Sequence, residues 1–241
     1  MKTLSVILPL LNEEQSLQPV HRALKDALKA VSCPHEIIFV DDGSTDDSLP
    51  VLEGVAARDP AVKIISLTEN FGQSSALQAG FDHAGGEVLV TLDADLENNP
   101  CEIPRLLGLL AGGCDVVCGR RVGRPLSAKK IISFLSNRAF RLLLGSPVRD
   151  IACTLRAYRR EALDGLVLRG SLHRYLPYIL HLRGAVISEV PVRFRPRRFG
   201  SSKYTLSGRI WPTLKDLHRL LFHRRAILRN RIREYTIGTI K

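Results

Sequence analysis

Two aspartates, Asp93 and Asp95, follow an apolar run at residues 88–92 and are separated by one residue. The run predicts a strand, and the two aspartates come where that strand must end. Alternate residues of an extended chain point the same way, so Asp93, Asp95 and Glu97 could converge on one hard cation. Magnesium or manganese, held by carboxylates and by the phosphate oxygens of a ligand, suits these donors. The alternative is that the aspartates only cap the next helix.

Short apolar runs alternate with helical patterns along the first half of the chain. The runs are continuous, which is typical of parallel strands covered on both faces. The sequence therefore predicts an α/β fold with a doubly wound, mostly parallel sheet. The predicted strands are residues 4–8, 36–40, 62–66, 88–92 and 115–118, and the predicted helices are 13–31, 46–58, 73–84, 101–111 and 127–144.

Polar turns follow the first four predicted strands, at residues 9–14, 41–46, 69–73 and 93–97, and Pro9 is expected to end the first strand. Any one of them could be a solvated loop, since Asp, Asn and Gly favour turns for local reasons. Because parallel strands end on one rim of a sheet, the four turns together predict a nucleotide-phosphate and metal site. Neither G-x-G-x-x-G nor G-x-x-x-x-G-K-[ST] occurs, which disfavours a Rossmann dehydrogenase and a P-loop enzyme.

The two halves of the chain carry opposite charge. Residues 1–118 contain seven Lys and Arg against 18 Asp and Glu, whereas residues 119–241 contain 28 against six. The net charges are thus −11 and +22, which agree with +11 for the whole chain. An acidic half suits a metal ion, and a basic half suits phosphates or an anionic membrane surface. Nucleic acid is a disfavoured partner, because aromatic residues make up only 6% and no known nucleic-acid motif occurs.

The cysteines indicate a reducing compartment, and the hydropathy pattern indicates how the chain relates to a membrane. The five cysteines are scattered and form no C-x-x-C, which indicates reduced cytosolic thiols and argues against a zinc site. The sequence shows no signal-peptide pattern and no apolar run of the roughly 18 residues that span a bilayer. We therefore expect a soluble or peripheral protein.

Five segments occur in a fixed order: residues 6–14 (VILPLLNEE), 36–44 (EIIFVDDGS), 70–72 (NFG), 93–96 (DADL) and 198–204 (RFGSSKY). Over residues 3–205 they resemble family 2 glycosyltransferases with the GT-A fold, and specifically the dolichyl- or polyprenyl-phosphate sugar synthases. The resemblance implies a nucleotide-diphosphate sugar donor and Mg²⁺ or Mn²⁺. It implies a Rossmann-like nucleotide and metal half at 1–118, an acceptor half at 119–205 and a basic tail at 206–241.

The resemblance also assigns roles to individual residues. Asp93 and Asp95 would hold the metal with Glu97, which stands where the family usually has Gln. Leu11 replaces the usual aromatic residue of the nucleoside site. The positions implied to hold the nucleoside are Pro9, Leu11, Glu13, Val40 and Asp42, and those implied to hold the metal and diphosphate are Asp93, Ala94, Asp95 and Glu97.

In the basic half, the resemblance implies that Arg121 contacts phosphate and that Lys129, where the family generally has Arg, lines a lipid-phosphate pocket with Ser133. A solvated helix face is the alternative for the helix at 127–144. Residues 119–125 are interpreted as a flexible basic loop. Asp150 is either an ion-pair partner of a neighbouring arginine or a residue near the acceptor; because phosphate is already mostly ionised, we favour positioning over base catalysis.

Residues 190–203 are interpreted as a basic arm that could close over a bound diphosphate, or alternatively as a disordered linker. Arg197 and Lys203 in this arm match the family's nucleotide- and phosphate-contacting pair. We expect Asp93, Asp95, Arg121, Asp150 and Lys203 to take part in catalysis.

The tail predicts an amphipathic helix with Leu214, Leu217, Leu220, Leu221 and Leu228 near one face. It would lie on anionic lipid or pack against its own domain or a partner subunit. The predicted function is inverting, metal-dependent sugar transfer to a polyprenyl phosphate at the cytoplasmic face of the membrane. The alternative is transfer to a saccharide or other hydroxyl acceptor in cell-envelope glycan synthesis. A homo-oligomer or a membrane-protein partner is left open.

Overall fold

The computed structural model describes residues 3–123, 128–196, 218, 220–222 and 237–241, and for residues 128–132 it describes the backbone alone. The strands are β1 (Leu4–Leu10), β2 (His35–Asp41), β3 (Val62–Leu67), β4 (Val88–Thr91), β5 (Val116–Val122), β6 (Arg156–Arg159), β7 (Ile187–Arg193) and β8 (Ile237–Ile240). The helices are α1 (Glu14–Leu28), α2 (Ser48–Ala56), α3 (Gln73–His83), α4 (Ile103–Ala111), α5 (Ala128–Leu144) and α6 (Leu176–Leu182), with short 3₁₀ turns at Pro100–Glu102, Arg160–Leu163 and Leu172–Tyr175.

The strands form one sheet in the order β7-β5-β6-β4-β1-β2-β3-β8. Strands β1 to β5 and β7 run in the same direction, whereas β6 and β8 are antiparallel to their neighbours. The predicted α/β fold with a mostly parallel sheet is therefore confirmed. The carboxyl ends of the parallel strands open on one rim, where the polar turns lie.

Helices cover both faces of the sheet, as the continuous apolar runs predict. Val6 and Leu8 of β1 are buried in the cluster that contains residues of α1, α2 and α4. Ile7 is buried in the opposite cluster with residues of α3, α5 and α6. Gly80 lets α3 approach closely, because a Cβ there would lie 2.4 Å from the Ile7 Cγ2 atom.

Pro9 does not end its strand, because β1 continues to Leu10. Ile7 presents its carbonyl to the β4 side, and Pro9 presents its backbone to the same side. The β4 pairing with β1 stops at Ile7. The missing N–H of Pro9 therefore costs the sheet no hydrogen bond.

Two basic segments that the sequence suggested to be loops are partly strand. Residues 119–122 belong to β5, which pairs along its whole length with β7. Residues 190–193 belong to β7, where Val190 and Val192 are buried. In residues 190–193 the two valines alternate with Pro191 and Arg193, which is a strand pattern, whereas residues 119–122 show no such alternation.

The predicted tail contributes to the sheet and to the core. Strand β8 pairs antiparallel with β3, and Leu220 is buried in the cluster on the α5 side. This packing agrees with the alternative that the tail helix packs on its own domain, whereas Leu221 is exposed. Leu214, Leu217 and Leu228 lie outside the described residues. Within the described part of the chain, no helix is both long and apolar enough to cross a membrane.

Candidate active site at the rim of the sheet

The acidic turn after β4 is not a continuation of the strand. Strand β4 ends at Thr91, and Leu96 has a positive φ of 61° that turns the chain. Asp95 is buried and accepts the backbone N–H of Glu97 at 2.9 Å. Strand alternation therefore does not aim all three carboxylates at one point. Among the residues that the structure describes, no three His, Cys, Asp or Glu side chains form a ready metal cage.

The negative charge of Asp93 is nevertheless destabilised by its surroundings. Its Oδ1 accepts a hydrogen bond from Gln73 Nε2 at 2.8 Å. Burial, followed by the charges of Asp95 and Glu97, raises the pKa of Asp93 to about 7, although a hydrogen bond from Thr154 opposes the shift. A divalent cation would relieve this crowding of negative charge. The donors fit Mg²⁺ or Mn²⁺ bound by one or two carboxylates, with phosphate oxygens and water as the remaining ligands.

The turns after β1 and β2 are locked together by side-chain hydrogen bonds. Asn12 accepts the backbone N–H of Thr45 at 2.7 Å, and the N–H of Asn12 is bound by Ser44 Oγ at 2.8 Å. The N–H of Glu13 is likewise bound by Ser48 Oγ at 2.9 Å. Asn12 has a positive φ of 50°, which Asn tolerates better than most residues. Of the residues predicted to hold the nucleoside, Leu11 and Glu13 lie in this interlocked double turn, whereas Pro9 and Val40 lie in the strands that lead into it.

Asp42 joins this double turn to the turn after β3. Its Oδ1 accepts the backbone N–H groups of Phe71 and Gly72 at 2.9 and 3.1 Å. Burial raises the pKa of Asp42 to about 6, against the effect of these two bonds. The next residue, Gly43, has a φ of 70°, and a Cβ there would lie 2.5 Å from the Glu69 carbonyl carbon.

Arg121, on β5, forms a two-pronged ion pair with Asp150. The Nε–Oδ2 and Nη2–Oδ1 distances are both 2.9 Å, and the backbone N–H of Arg121 also reaches Oδ2 at 3.2 Å. The side chains are only 8% and 9% exposed. Burial acts to lower the pKa of Arg121, but the bonds and charge of Asp150 outweigh it and raise that pKa. The arginine that accompanies Asp150 is thus supplied by β5 and lies 29 residues away in sequence.

The remaining predicted site residues fall into three groups. Pro9 and Val40 face each other in the β1–β2 register, and Leu11 and Glu13 follow in the turn. Ala94 is buried in the core, and Ser133 is half-buried on α5. Lys129 lies on α5 without a described side chain, and Arg197 and Lys203 lie outside the described residues.

Several residues near the site went unnoticed in the sequence. Gln73 is the last residue of the predicted polar turn at 69–73, but no role of its own was predicted for it. Thr154 accepts Asn98 Nδ2 at 2.9 Å and supports the acidic turn; no sequence pattern marks it. Ser74 Oγ lies 2.8 Å from His173 Nδ1 and connects α3 to the 3₁₀ turn at Leu172–Tyr175. Burial lowers the pKa of His173 to about 3, so its ring is neutral at physiological pH.

Comparison with known proteins identifies the family to which this α/β fold, with its acidic site at the rim of the sheet, belongs. The profile of the family described as glycosyl transferase family 2 matches residues 5–167. The chain belongs to this family and is a glycosyltransferase.

Solved structures of glucosyl-3-phosphoglycerate synthase from Mycobacterium tuberculosis share the fold. The complex with phosphoglyceric acid has a TM-score of 0.70 and 22% identity, with 94% of this chain and 81% of that chain covered. The complex with Mn²⁺, UDP-glucose and phosphoglyceric acid has a TM-score of 0.70 and 21% identity, with coverages of 94% and 80%. The complex with Mn²⁺, UDP and glucosyl-3-phosphoglycerate has a TM-score of 0.67 and 22% identity, with coverages of 99% and 87%. The prediction of a GT-A fold is confirmed.

Proposed function

We propose that this protein transfers a sugar from a nucleotide-diphosphate sugar, with Mg²⁺ or Mn²⁺, to an acceptor that carries a phosphate group. The observation that carries the proposal is the Asp93 carboxyl, which lies close to the charges of Asp95 and Glu97 at the rim. It stands beside the interlocked turns after β1, β2 and β3. Two of the similar structures contain Mn²⁺ together with UDP-glucose or UDP, which supports the donor and the metal.

On the donor side, Asp42 and the double turn would hold the nucleoside, and Asp93 and Asp95 would hold the metal with the diphosphate. The metal supplies Lewis-acid stabilisation of the departing diphosphate when it is bound. Gln73 and Thr154 fix the orientation of Asp93 through hydrogen bonds. The chain's own contribution is therefore a preorganised carboxylate rather than a mobile one.

On the acceptor side, the basic half provides charge for a phosphate. The similar structures contain phosphoglyceric acid, which bears a phosphate and supports a hydroxyl acceptor better than a lipid phosphate. Polyprenyl phosphate is the second candidate, and the ion pair of Asp150 favours it. A carboxylate held by a guanidinium fork is a weak base, whereas an ionised phosphate needs little deprotonation. Arg121 and Asp150 would position either acceptor.

The donor reaction can be tested without knowledge of the acceptor. Hydrolysis or transfer from UDP-, GDP- and dTDP-sugars is measured with MnCl₂, MgCl₂ or EDTA, and nucleotide release is the readout. We expect metal-dependent release with one base strongly preferred. Equal turnover in EDTA, or no binding of any nucleotide sugar by calorimetry, would refute the proposal.

The two acceptors are distinguished by where the radiolabelled sugar appears. A polyprenyl phosphate gives a chloroform-extractable product that dilute acid releases, and a hydroxyl acceptor such as phosphoglycerate gives a water-soluble, acid-stable glycoside. Asp150→Asn adds a second criterion. Loss of essentially all turnover with unchanged nucleotide affinity favours the hydroxyl acceptor, because only that acceptor needs a base. A modest loss favours the phosphate.

A further inference from the structure

Helix α5 presents large apolar side chains to solvent. Phe134 is 63% exposed and Leu142 is 73% exposed, and Leu135 is also exposed. The opposite face of the helix is firmly packed, because Phe140 is buried and its ring lies 4.9 Å from the ring of Tyr175. Helix α5 is therefore docked on the domain by one side while its apolar outer side has no cover from the described residues.

Five of the exposed residues of α5 form one stripe, whereas Leu143, which is 56% exposed, lies about half a turn away from Phe134. At about 3.6 residues per turn, Phe134, Arg138, Arg141 and Leu142 fall on the same side of the helix, with Leu135 beside them. Arg138 and Arg141 are both exposed. An apolar stripe interleaved with arginines is the composition of helices that lie in a membrane interface, with the rings in the acyl boundary and the guanidinium groups among lipid phosphates.

The sequence around this stripe has only one sign of charge. Residues 119–149 contain no Asp or Glu, and their Lys and Arg residues are Arg120, Arg121, Arg124, Lys129, Lys130, Arg138, Arg141 and Arg149. A second copy of the same face would therefore meet it with like charge, which opposes self-association. An anionic lipid surface offers both the apolar layer and the opposite charge.

We infer that the exposed face of α5, formed by Phe134, Leu135, Arg138, Arg141 and Leu142, docks the protein on an anionic phospholipid bilayer. The inference rests on the proposed function only through the second candidate acceptor, a polyprenyl phosphate, which a membrane would carry. The helical residues 220–222 fit the same arrangement. Leu220 is buried in the core cluster that includes Phe140, and the neighbouring Phe222 is largely exposed.

The test is co-sedimentation of the full chain with vesicles of phosphatidylglycerol, or of phosphatidylcholine as the uncharged comparison, without any substrate. We expect binding to phosphatidylglycerol that weakens with salt. Phe134→Ser with Leu142→Ser should lower the partition coefficient more than about tenfold, because two large apolar side chains would no longer be buried in the bilayer. Arg138→Gln and Arg141→Gln should each lower it about fivefold.

The matched control is Leu109→Ser, which removes an exposed leucine, 39% exposed, from α4 in the acidic half. It should bind vesicles like the unchanged protein. Equal binding by the α5 variants and the unchanged protein would overturn the inference, and so would equal loss in the Leu109 variant. A dimer that sedimentation equilibrium shows to depend on Phe134 and Leu142 would also overturn it, in favour of a second copy.

Failure of the inference and failure of the proposed function are separable. Vesicle binding needs no nucleotide sugar, and nucleotide release needs no vesicle. Metal-dependent nucleotide release with no lipid binding would remove only the docking surface, and lipid binding without any nucleotide-sugar turnover would remove only the proposed function.

Discussion

Arg121 and Asp150 share two parallel hydrogen bonds of 2.9 Å, and the backbone N–H of Arg121 binds the same carboxylate. Both side chains are almost fully buried. The pair ties the end of β5 to the loop before β6, and β6 separates β5 from β4, which leads to Asp93. A buried ion pair of this kind fixes geometry, whereas its contribution to stability depends on whether both partners are present.

Removal of one member of this pair is expected to lower the stability of the fold more than removal of both. Arg121→Met or Asp150→Leu alone takes this two-pronged partner away from a buried charge and should lower the free energy of unfolding by about 3–5 kcal/mol. The double variant should recover most of that loss. Urea unfolding of the four proteins measures the coupling. The control is Lys29→Met, which breaks the exposed Lys29–Asp26 pair and should cost less than about 1 kcal/mol. Additive losses in the double variant would contradict the argument.

Metal binding should depend on pH through Asp93. The pKa of this carboxyl is about 7 in the folded metal-free protein, whereas its ordinary value is 3.8. The folded state thus holds an extra proton between these values, and metal-free stability should fall as pH rises from about 4 to 7 and then level off. A cation binds the deprotonated form, so the rise in Tm caused by MnCl₂ should grow from pH 5.5 to pH 8.

Thermal unfolding with MnCl₂ or EDTA across that range measures the effect. Asp93→Asn should remove the response to Mn²⁺ and reduce the pH dependence of the metal-free protein, with the part that comes from Asp42 remaining. The exposed Asp26→Asn is the control and should keep both. A Mn²⁺ stabilisation that is the same at pH 5.5 and pH 8 would exclude Asp93 as a ligand.

Asp42 should be more important for ligand binding than for folding. Both backbone N–H groups bind its Oδ1, so Asn at this position can keep them. The pKa of Asp42 is raised to about 6, mainly by burial, so its charge destabilises the folded state above that pH. Asp42→Asn should therefore raise the free energy of unfolding at pH 7.5 by on the order of 1 kcal/mol. This gain should disappear below pH 4, where the carboxyl is protonated in both the folded and the unfolded state.

The same variant should weaken nucleotide binding if Asp42 contacts the nucleoside. Calorimetric titration with the preferred nucleotide diphosphate measures this, with the exposed Asp47→Asn as control. A variant that is both less stable and unchanged in affinity would contradict both parts of the argument.

The sequence predicts the nucleotide-binding half far better than the acceptor half. Strands β1 to β4 carry continuous apolar runs, and each is followed by a polar turn, so pattern and topology agree. Strands β6 and β7 combine Arg, Pro and Tyr with short apolar stretches, and their strand character comes from pairing with β4 and β5. A pairing between segments far apart in sequence leaves no local signal.

The candidate site shows the same limit. Asp93 and Asp42 are evident because carboxylates end apolar strands. The partners that hold them are not, because Gln73 and Thr154 are ordinary polar residues until the fold brings them to Asp93. The expected convergence of Asp93, Asp95 and Glu97 assumed a strand where the chain turns at Leu96, whose positive φ no periodicity could indicate.

Gly43 provides a test of whether the interlocked turns matter as a unit. An alanine at position 43 would be destabilising for two reasons. The φ angle is 70°, and the new Cβ would lie 2.5 Å from the Glu69 carbonyl carbon. Gly145 is the matched control, since its φ is 67° and no atom lies within 4 Å of an added Cβ. Gly145→Ala should cost only the conformational penalty of about 1 kcal/mol.

Gly43→Ala should lower the free energy of unfolding clearly more than Gly145→Ala. It should also weaken nucleotide binding at least about tenfold, because displacement of Glu69 carries Phe71 and Gly72 away from Asp42. Urea unfolding and calorimetry on both variants measure the two effects, and equal costs with unchanged affinity would show that the turn after β3 is not coupled to the site.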